Sequence, residues 1–216
     1  MTRQCVLDTE TTGIAVASGH RVIEIGVVEI IDRKITGNTF HVYLNPERIV
    51  DDGAIRVHGL TNEFLANKPK YIDVHKDFLA FIKDSELIAH NASFDVGFIE
   101  QEWSYLGFEQ KVNDFCKVTD TLMLARKKYP GQKNSLDVLC KRLGVDLSKR
   151  VSHGALLDAE LLSSVYLLMT SSQKEIKLQA ELLHNGSLDT VQRVFPFEAT
   201  KKDLEEHCKI EKLIFE

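Results

Sequence analysis

Near its start the chain packs apolar residues into short, dense runs. Residues 4–8 hold Cys5-Val6-Leu7, residues 22–31 are rich in Ile and Val, and residues 39–44 alternate loosely. Such runs bounded by turn-forming residues predict strands, and Asp32-Arg33-Lys34 and Gly37-Asn38 supply the turns. Three strands with connections this short predict an antiparallel meander.

The period then changes. Tyr71, Val74, Phe78, Phe81 and Ile82 fall three or four apart, as does the later set Phe94, Phe98, Ile99, Trp103 and Leu106. Each set is one face of a helix. Leu87-Ile88-Ala89 between them predicts a short buried strand, and residues 116–119 predict another. A helix through Leu122, Leu124 and Ala125 has to stop before Pro130. Ser135 is placed to cap a helix over residues 136–143, with Gly144 closing it. Leu157, Leu161, Val165 and Leu168 mark a last core helix. Strands first, then alternating helix and strand, predict an α/β fold with a mixed sheet flanked by helices.

Beyond Met169 the pattern weakens. Thr170-Ser171-Ser172-Gln173 is polar, Ile176, Ala180 and Leu183 fit a short helix, and Asn185-Gly186-Ser187 is a break. Val191–Phe197 is apolar, and Thr200 is placed to cap a charged helix running toward Leu213. The expected organisation is a domain over residues 1–170, a linker or short helix over 171–190, and a separate segment over 191–216.

Composition narrows the setting. The 216 residues are 44% hydrophobic and 27% charged, which is ordinary for a globular chain. No signal-peptide pattern opens the chain and no apolar run approaches the roughly 18 residues of a membrane span, so a soluble, cytoplasmic protein is expected. The four cysteines are scattered without a CxxC pair, which argues against a zinc cluster or disulfide framework, and Cys5 and Cys140 read as buried thiols. The net charge of −5 argues against a broad basic surface for nucleic acid. It leaves room for a nuclease, because bound divalent ions supply the positive charge that phosphate requires. Arg126-Lys127-Lys128 and Lys149-Arg150 are local basic clusters, equally readable as solvated helix ends.

Three segments carry candidate chemistry. In Asp8-Thr9-Glu10-Thr11-Thr12-Gly13, two acids two residues apart at a strand end project to one face. Their repulsion and desolvation are offset by a hard divalent cation such as magnesium or manganese. Read alone, the pair is equally compatible with two solvated acids in a loop. In His90-Asn91-Ala92-Ser93-Phe94-Asp95, the acid falls in the first turn of a helix, where it also suits the helix dipole. In His153-Gly154-Ala155-Leu156-Leu157-Asp158, five residues of helix would hold the two side chains apart, so His153 is expected in a loop or first turn, Asp158 on the helix, and no pair between them.

Taken together and in order, DTETTG, HNASFD and HGALLD resemble the DEDDh 3′→5′ exonucleases over roughly residues 3–169. The flanking text Thr2-Arg3-Gln4, Phe40-His41-Val42-Tyr43-Leu44, residues 115–120 and Asn134-Ser135-Leu136-Asp137 is most similar to the epsilon, or proofreading, branch that serves bacterial DNA polymerase III. The resemblance implies a ribonuclease H-like five-stranded mixed sheet. It implies that Asp8, Glu10, Asp95 and Asp158 hold two divalent ions, Mg2+ or Mn2+, with Asp8 bridging them. It implies that His153 takes the proton of the attacking water, releasing a nucleoside 5′-monophosphate; an imidazole suits proton transfer near neutrality. Asp8, Glu10, Asp158, Thr11, Val57 and His58 would contact the terminal nucleotide. Val57-His58-Gly59 also reads as a helix-entry turn closed by Gly59. Where these relatives often carry a glutamate ahead of that histidine, this chain has Asp51-Asp52-Gly53-Ala54, which leaves a ligand contact through that acid without support.

Arg193-Val194-Phe195-Pro196-Phe197, followed by residues 199–207, resembles the polymerase-binding segment of the same group. An apolar run before an amphipathic helix suits partner docking, and equally suits packing on the chain's own domain. The implied partners are a mispaired or single-stranded DNA 3′ end and the polymerase catalytic alpha subunit. A theta-like subunit, and a sliding clamp reached through residues 173–178, are weaker implications. The rival activity is a free-standing DEDDh exonuclease acting on RNA or oligonucleotide ends. A non-catalytic structural subunit is the rival outside enzymology, and it usually goes with lost acids, of which none is missing here.

Overall fold

The computed structural model describes residues 2–148, 150 and 153–184, with residues 172–184 described by their backbone alone. The expectations for residues 185–216, including the apolar run and the charged helix, lie outside the described residues.

The strands are β1 (Arg3–Thr11), β2 (Val22–Ile31), β3 (Lys34–Tyr43), β4 (Glu86–Ala89) and β5 (Lys117–Asp120). The helices are α1 (Asp52–His58), α2 (Asn62–Leu65), α3 (Tyr71–Ile82), α4 (Ala92–Tyr105), α5 (Thr121–Lys128), α6 (Leu136–Leu143) and α7 (Ala155–His184). One sheet carries all five strands in the order β3-β2-β1-β4-β5. β1–β2 and β2–β3 are antiparallel, while β1–β4 and β4–β5 are parallel. The mixed five-stranded sheet with flanking helices is thus the fold expected from the sequence.

The meander forms as its pattern predicts, but with longer strands. β3 begins at Lys34 because Asp32 and Arg33 both adopt positive φ, 48° and 66°, making a two-residue hairpin turn that pairs Ile31 with Lys34 at once. Gly37-Asn38, expected as a turn, lies inside β3, and the pairing irregularity sits across from it between Val28 and Ile30.

Alternation along β1 divides the core. Cys5 and Leu7 face Phe78 and Ile82 of α3 and Phe98, Ile99 and Trp103 of α4. Val6 faces Ala125 of α5, Leu139 and Cys140 of α6, and Leu162 and Val165 of α7. The bidentate pair of Arg21 with buried Glu102, at 2.8 and 2.6 Å, fastens α4 to the start of β2, where the Val22 N–H also donates to Glu102 at 3.1 Å. Cys5, Cys116 and Cys140 are buried free thiols.

Two expectations for the last helix are corrected. Leu168 is 46% exposed, and the core face of α7 runs instead through Leu161, Leu162, Val165, Tyr166 and Met169. The polar stretch 170–173 does not break the chain into two helices; α7 runs through it to His184. It contains no Gly or Pro, and the Thr170 and Ser171 hydroxyls bond back to the Tyr166 and Leu168 carbonyls at 2.7 and 2.8 Å. Met1–Ser172 makes one compact unit, and the residues from Gln173 onward fall outside it. No described helix is long and apolar enough to cross a membrane.

The start of α7 is seated directly on the sheet. A Cβ placed on Gly26 of β2 would lie 2.3 Å from both the Ala155 carbonyl carbon and the Leu156 nitrogen. Only a glycine admits that approach, and a backbone neighbour has little room to yield. Gly26→Ala is therefore expected to cost roughly 3 kcal/mol, the upper end of ordinary overpacking, read as a lowered midpoint in urea unfolding.

Candidate metal and nucleotide site

The end of β1 brings Asp8 and Glu10 to one face, since side chains alternate along a strand. Across the ladder Asp8 pairs with Gly26 and Glu10 with Glu24. Because Gly26 has no side chain, the first turn of α7 reaches the same face, and with it Asp158, which is 3% exposed.

Asp95 arrives from the other side of the sheet. Asn91 adopts φ 69° ahead of α4, and its N–H donates to the Asp120 carboxylate at 3.1 Å; the same oxygen caps α5 by accepting from the Leu122 N–H at 2.8 Å. One acid at the end of β5 thereby fixes two helix starts. Asp95, in the first turn of α4, is buried and accepts from the Thr9 hydroxyl at 2.8 Å. Strand alternation gives Thr9 to Asp95 while its neighbours in sequence face Asp158.

His153 lies in the extended stretch before α7, and its N–H donates to the Val57 carbonyl at 3.3 Å. Its Nδ1 is 3.1 Å from Oδ2 of Asp158. The expectation that these two side chains do not pair is thus overturned. The helix begins only at Ala155, so the intervening residues turn back and do not hold the pair apart as a full helix would.

Arg150 completes this corner. Its Nε and Nη2 donate to the two oxygens of Asp158, each at 2.6 Å, Nη2 also lies 2.8 Å from His153 Nδ1, and Nη1 bonds Asp137. The reading of Lys149-Arg150 as a solvated helix end fails for Arg150, whose side chain is 9% exposed; Lys149 lies outside the described residues.

Crowding marks the titration of the acids. Burial, then the charges of Asp95, Asp158 and Glu10, push the Asp8 carboxyl well above the usual carboxylate range, against a smaller lowering by Arg150. Burial, then Glu24, Asp158 and Asp95, push Glu10 up to about 8. Burial raises Asp95 to about 7 despite the opposing hydrogen bond from Thr9. Glu10, His153 and Asp158 can each present a ligand atom within 4.8 Å of the others. A carboxylate-rich set that resists full ionisation fits a hard divalent cation, whose charge would remove the penalty.

Beside the acids opens a cleft of about 440 Å³, bounded by Glu10, Thr11, Val57 and His58 together with Ile14 and Phe94. It gathers four of the residues expected to contact a nucleotide; Asp8 and Asp158 are not among its walls. The Thr11 hydroxyl is engaged, donating to the Gly13 carbonyl at 2.7 Å. Val57-His58 closes α1, and Gly59, at φ 76°, terminates that helix where an entry turn was expected. Inside, His58 accepts from the Leu60 N–H through Nδ1 at 3.0 Å, and its buried Nε2 has no hydrogen-bond partner.

Sequence reading missed Ile14, Phe94 and Glu24 as site residues, and met Arg150 only as part of a local basic cluster. Ile14 is 87% exposed on the cleft rim, and its only signal is a bulky apolar residue directly after Gly13. Glu24 is 2% exposed, held by His41 Nε2 at 2.8 Å, and was masked by the apolar run around it.

Residues 5–166 match the exonuclease family model. The DNA polymerase III subunit epsilon of Salmonella typhimurium is 52% identical over 201 residues, covering 90% of this chain and 83% of its own length. That of Escherichia coli is 50% identical with the same coverage. Among solved structures, exonuclease X in complex with a 5′-overhanging duplex DNA superposes with a TM-score of 0.63 at 25% identity, over 78% of this chain and 92% of that one. The nuclease domain of 3′hExo bound to rAMP, at 20% identity and a TM-score of 0.65 over 79% and 92%, shares the fold.

Glu10 and Asp95 titrate higher in the folded chain than an unfolded carboxylate does. Between the ordinary carboxylate range and about pH 8 the folded state therefore binds more protons, and stability falls as pH rises through that window. Urea midpoints measured in chelator should drop from about pH 5 to about pH 8, and Glu10→Gln should flatten the slope.

Proposed function

The chain belongs to the exonuclease family, among the DNA polymerase III epsilon subunits, and from that premise we propose that it removes mispaired 3′-terminal nucleotides for a replicative DNA polymerase. The observation that carries this reading is the gathering of Asp8, Glu10, Asp95 and Asp158 at one end of β1, beside a cleft of nucleotide size.

In this reading the four acids would hold two divalent ions, Mg2+ or Mn2+, and Asp8 lies close enough to Asp95, Asp158 and Glu10 to feel their charges. Bound there, such ions supply charge to stabilise the attacking and leaving oxygens of an in-line displacement. His153 takes the proton of the attacking water, and Asp158 orients the ring through Nδ1. The terminal nucleotide lies in the cleft, with its base and sugar against Val57, Ile14 and Phe94, and His58 Nε2 supplies a hydrogen-bonding atom that the protein itself leaves unused. The product is a nucleoside 5′-monophosphate.

We assign residues 1–170 to the catalytic domain, residues 171–190, in which α7 continues to His184, to a linker or helix, and residues 191–216 to the segment that docks on the polymerase alpha subunit in the bacterial cytoplasm. Similarity to epsilon subunits over 90% of the chain supports this over a free-standing exonuclease acting on RNA ends, which would share the catalytic residues. The helical stretch around Gln173 is the place where a sliding clamp would be engaged.

Replacing His153 with Ala should slow metal-saturated cleavage of single-stranded DNA by roughly 10²–10⁴-fold, the usual contribution of a general base. Near-normal turnover would remove that role. A chain ending at residue 170 should keep its nuclease activity and lose co-purification with the polymerase catalytic subunit. Equal activity on RNA ends and mispaired DNA, with no polymerase bound by the full chain, would favour the free-standing enzyme.

A further inference from the structure

Arg150 stands in this site without a part in the proposed chemistry. Its guanidinium fork occupies both oxygens of Asp158, a residue assigned above to metal binding, and its contacts are directional as well as electrostatic. Asp137, at the start of α6, holds the outer edge of the guanidinium from a half-exposed position. Arg150 thus sits between a buried anion that a cation is expected to claim and a surface anion that can retain it.

Its contact with His153 has a chemical consequence. Nδ1 of the imidazole lies 2.8 Å from Arg150 Nη2 and 3.1 Å from Asp158 Oδ2. An arginine N–H can only donate, so the first contact requires an unprotonated Nδ1 with the ring proton on Nε2. The carboxylate can only accept, so the second requires the proton on Nδ1. A neutral ring satisfies one of these at a time. With Arg150 seated, Nε2 carries the proton and has no lone pair to offer; with Arg150 withdrawn, Nδ1–H turns to Asp158 and Nε2 becomes a base.

We propose that Arg150 is a positioning residue and exchangeable counterion: it holds Asp158 and His153 until a divalent cation loads, is then displaced toward Asp137, and so couples loading to the tautomer that makes His153 a base. This rests on the metal-binding role assigned to Asp158. No covalent step is involved, and the ring proton moves from Nε2 to Nδ1 by exchange with water.

The test uses the full chain without DNA. Magnesium affinity is measured calorimetrically for the natural protein, Arg150→Gln and Arg150→Lys, and the tautomer of His153 by nitrogen-15 NMR above neutral pH, in chelator and at saturating Mg2+. Arg150→Gln should bind Mg2+ about tenfold more tightly, the equivalent of one charge-assisted hydrogen bond no longer competing. Arg150→Lys should fall between the two. In the natural protein the ring proton should move from Nε2 to Nδ1 on loading. An arginine that merely braces the loop would predict weaker Mg2+ binding in Arg150→Gln and one tautomer throughout, and either result overturns the proposal. Should Arg150→Gln fail to fold, Asp137→Asn, which loosens only the outer anchor, should change Mg2+ affinity and leave the tautomer change intact; an unaltered affinity would count against the exchange. Failure of both folded proteins to bind Mg2+ would overturn this inference together with the metal site, whereas normal binding with no effect of Arg150 overturns this inference alone.

Discussion

The burial of several carboxylates side by side around Asp8, costly in desolvation first and in mutual repulsion second, is the constraint to which the rest of the structure answers. Burial disfavours the charge on each carboxylate, and Asp8 feels Asp95, Asp158 and Glu10 besides. A cluster of that kind persists only where the surrounding fold is rigid enough to oppose its dispersal. Both faces of the sheet are accordingly filled: α3 and α4 pack on one side of β1, and α5, α6 and α7 on the other. The buried Arg21–Glu102 pair then fixes the helix that carries Asp95.

Within that frame the acids are not equivalent. Asp158 is met by a guanidinium fork, whereas Asp95, held by the neutral Thr9 hydroxyl and by backbone N–H groups, is raised to about 7 by burial. Glu10 stands across the ladder from a second buried acid, Glu24, and is pushed to about 8. A positive partner is therefore in place on one side of the cluster and lacking on the other. A cation entering the cluster gains most from the Asp8–Glu10–Asp95 side, and the competition it meets is at Asp158.

Much of this was legible in sequence, for reasons that differ by element. α3 and α4 declare themselves by a helical period, and β1 by an apolar run that changes to alternating acids. β3 was read short because the positive φ of Asp32 and Arg33 lies in backbone geometry, which residue type only hints at. The placement of β4 beside β1 has no local signal at all, since sheet order depends on which crossover helices pack on which face. Leu168 was misjudged because a leucine three residues after Val165 does not reveal which side of a long helix meets the sheet. The acids and His153 came from motif order. The His153–Asp158 contact depended on where α7 begins, and Arg150 showed itself only as half of a short basic cluster.

The same imbalance bears on how an acidic chain can act on a polyanion. With a net charge of −5 and an acidic centre, the protein offers DNA little attraction from its surface as a whole. Cations bound at the centre would reverse the local sign over a few ångströms, enough to hold one terminal phosphate and too short in range to gather a duplex, because screening limits the reach to about 10 Å. Encounter must then come from elsewhere, and a tether supplies it by raising the effective concentration of the DNA end without adding contacts to it. Weak intrinsic affinity and a narrow cleft together make such an enzyme selective for an end that is presented to it already unpaired. On the proposed reading, the charge that first argued against a nucleic-acid protein is what confines its action to the polymerase.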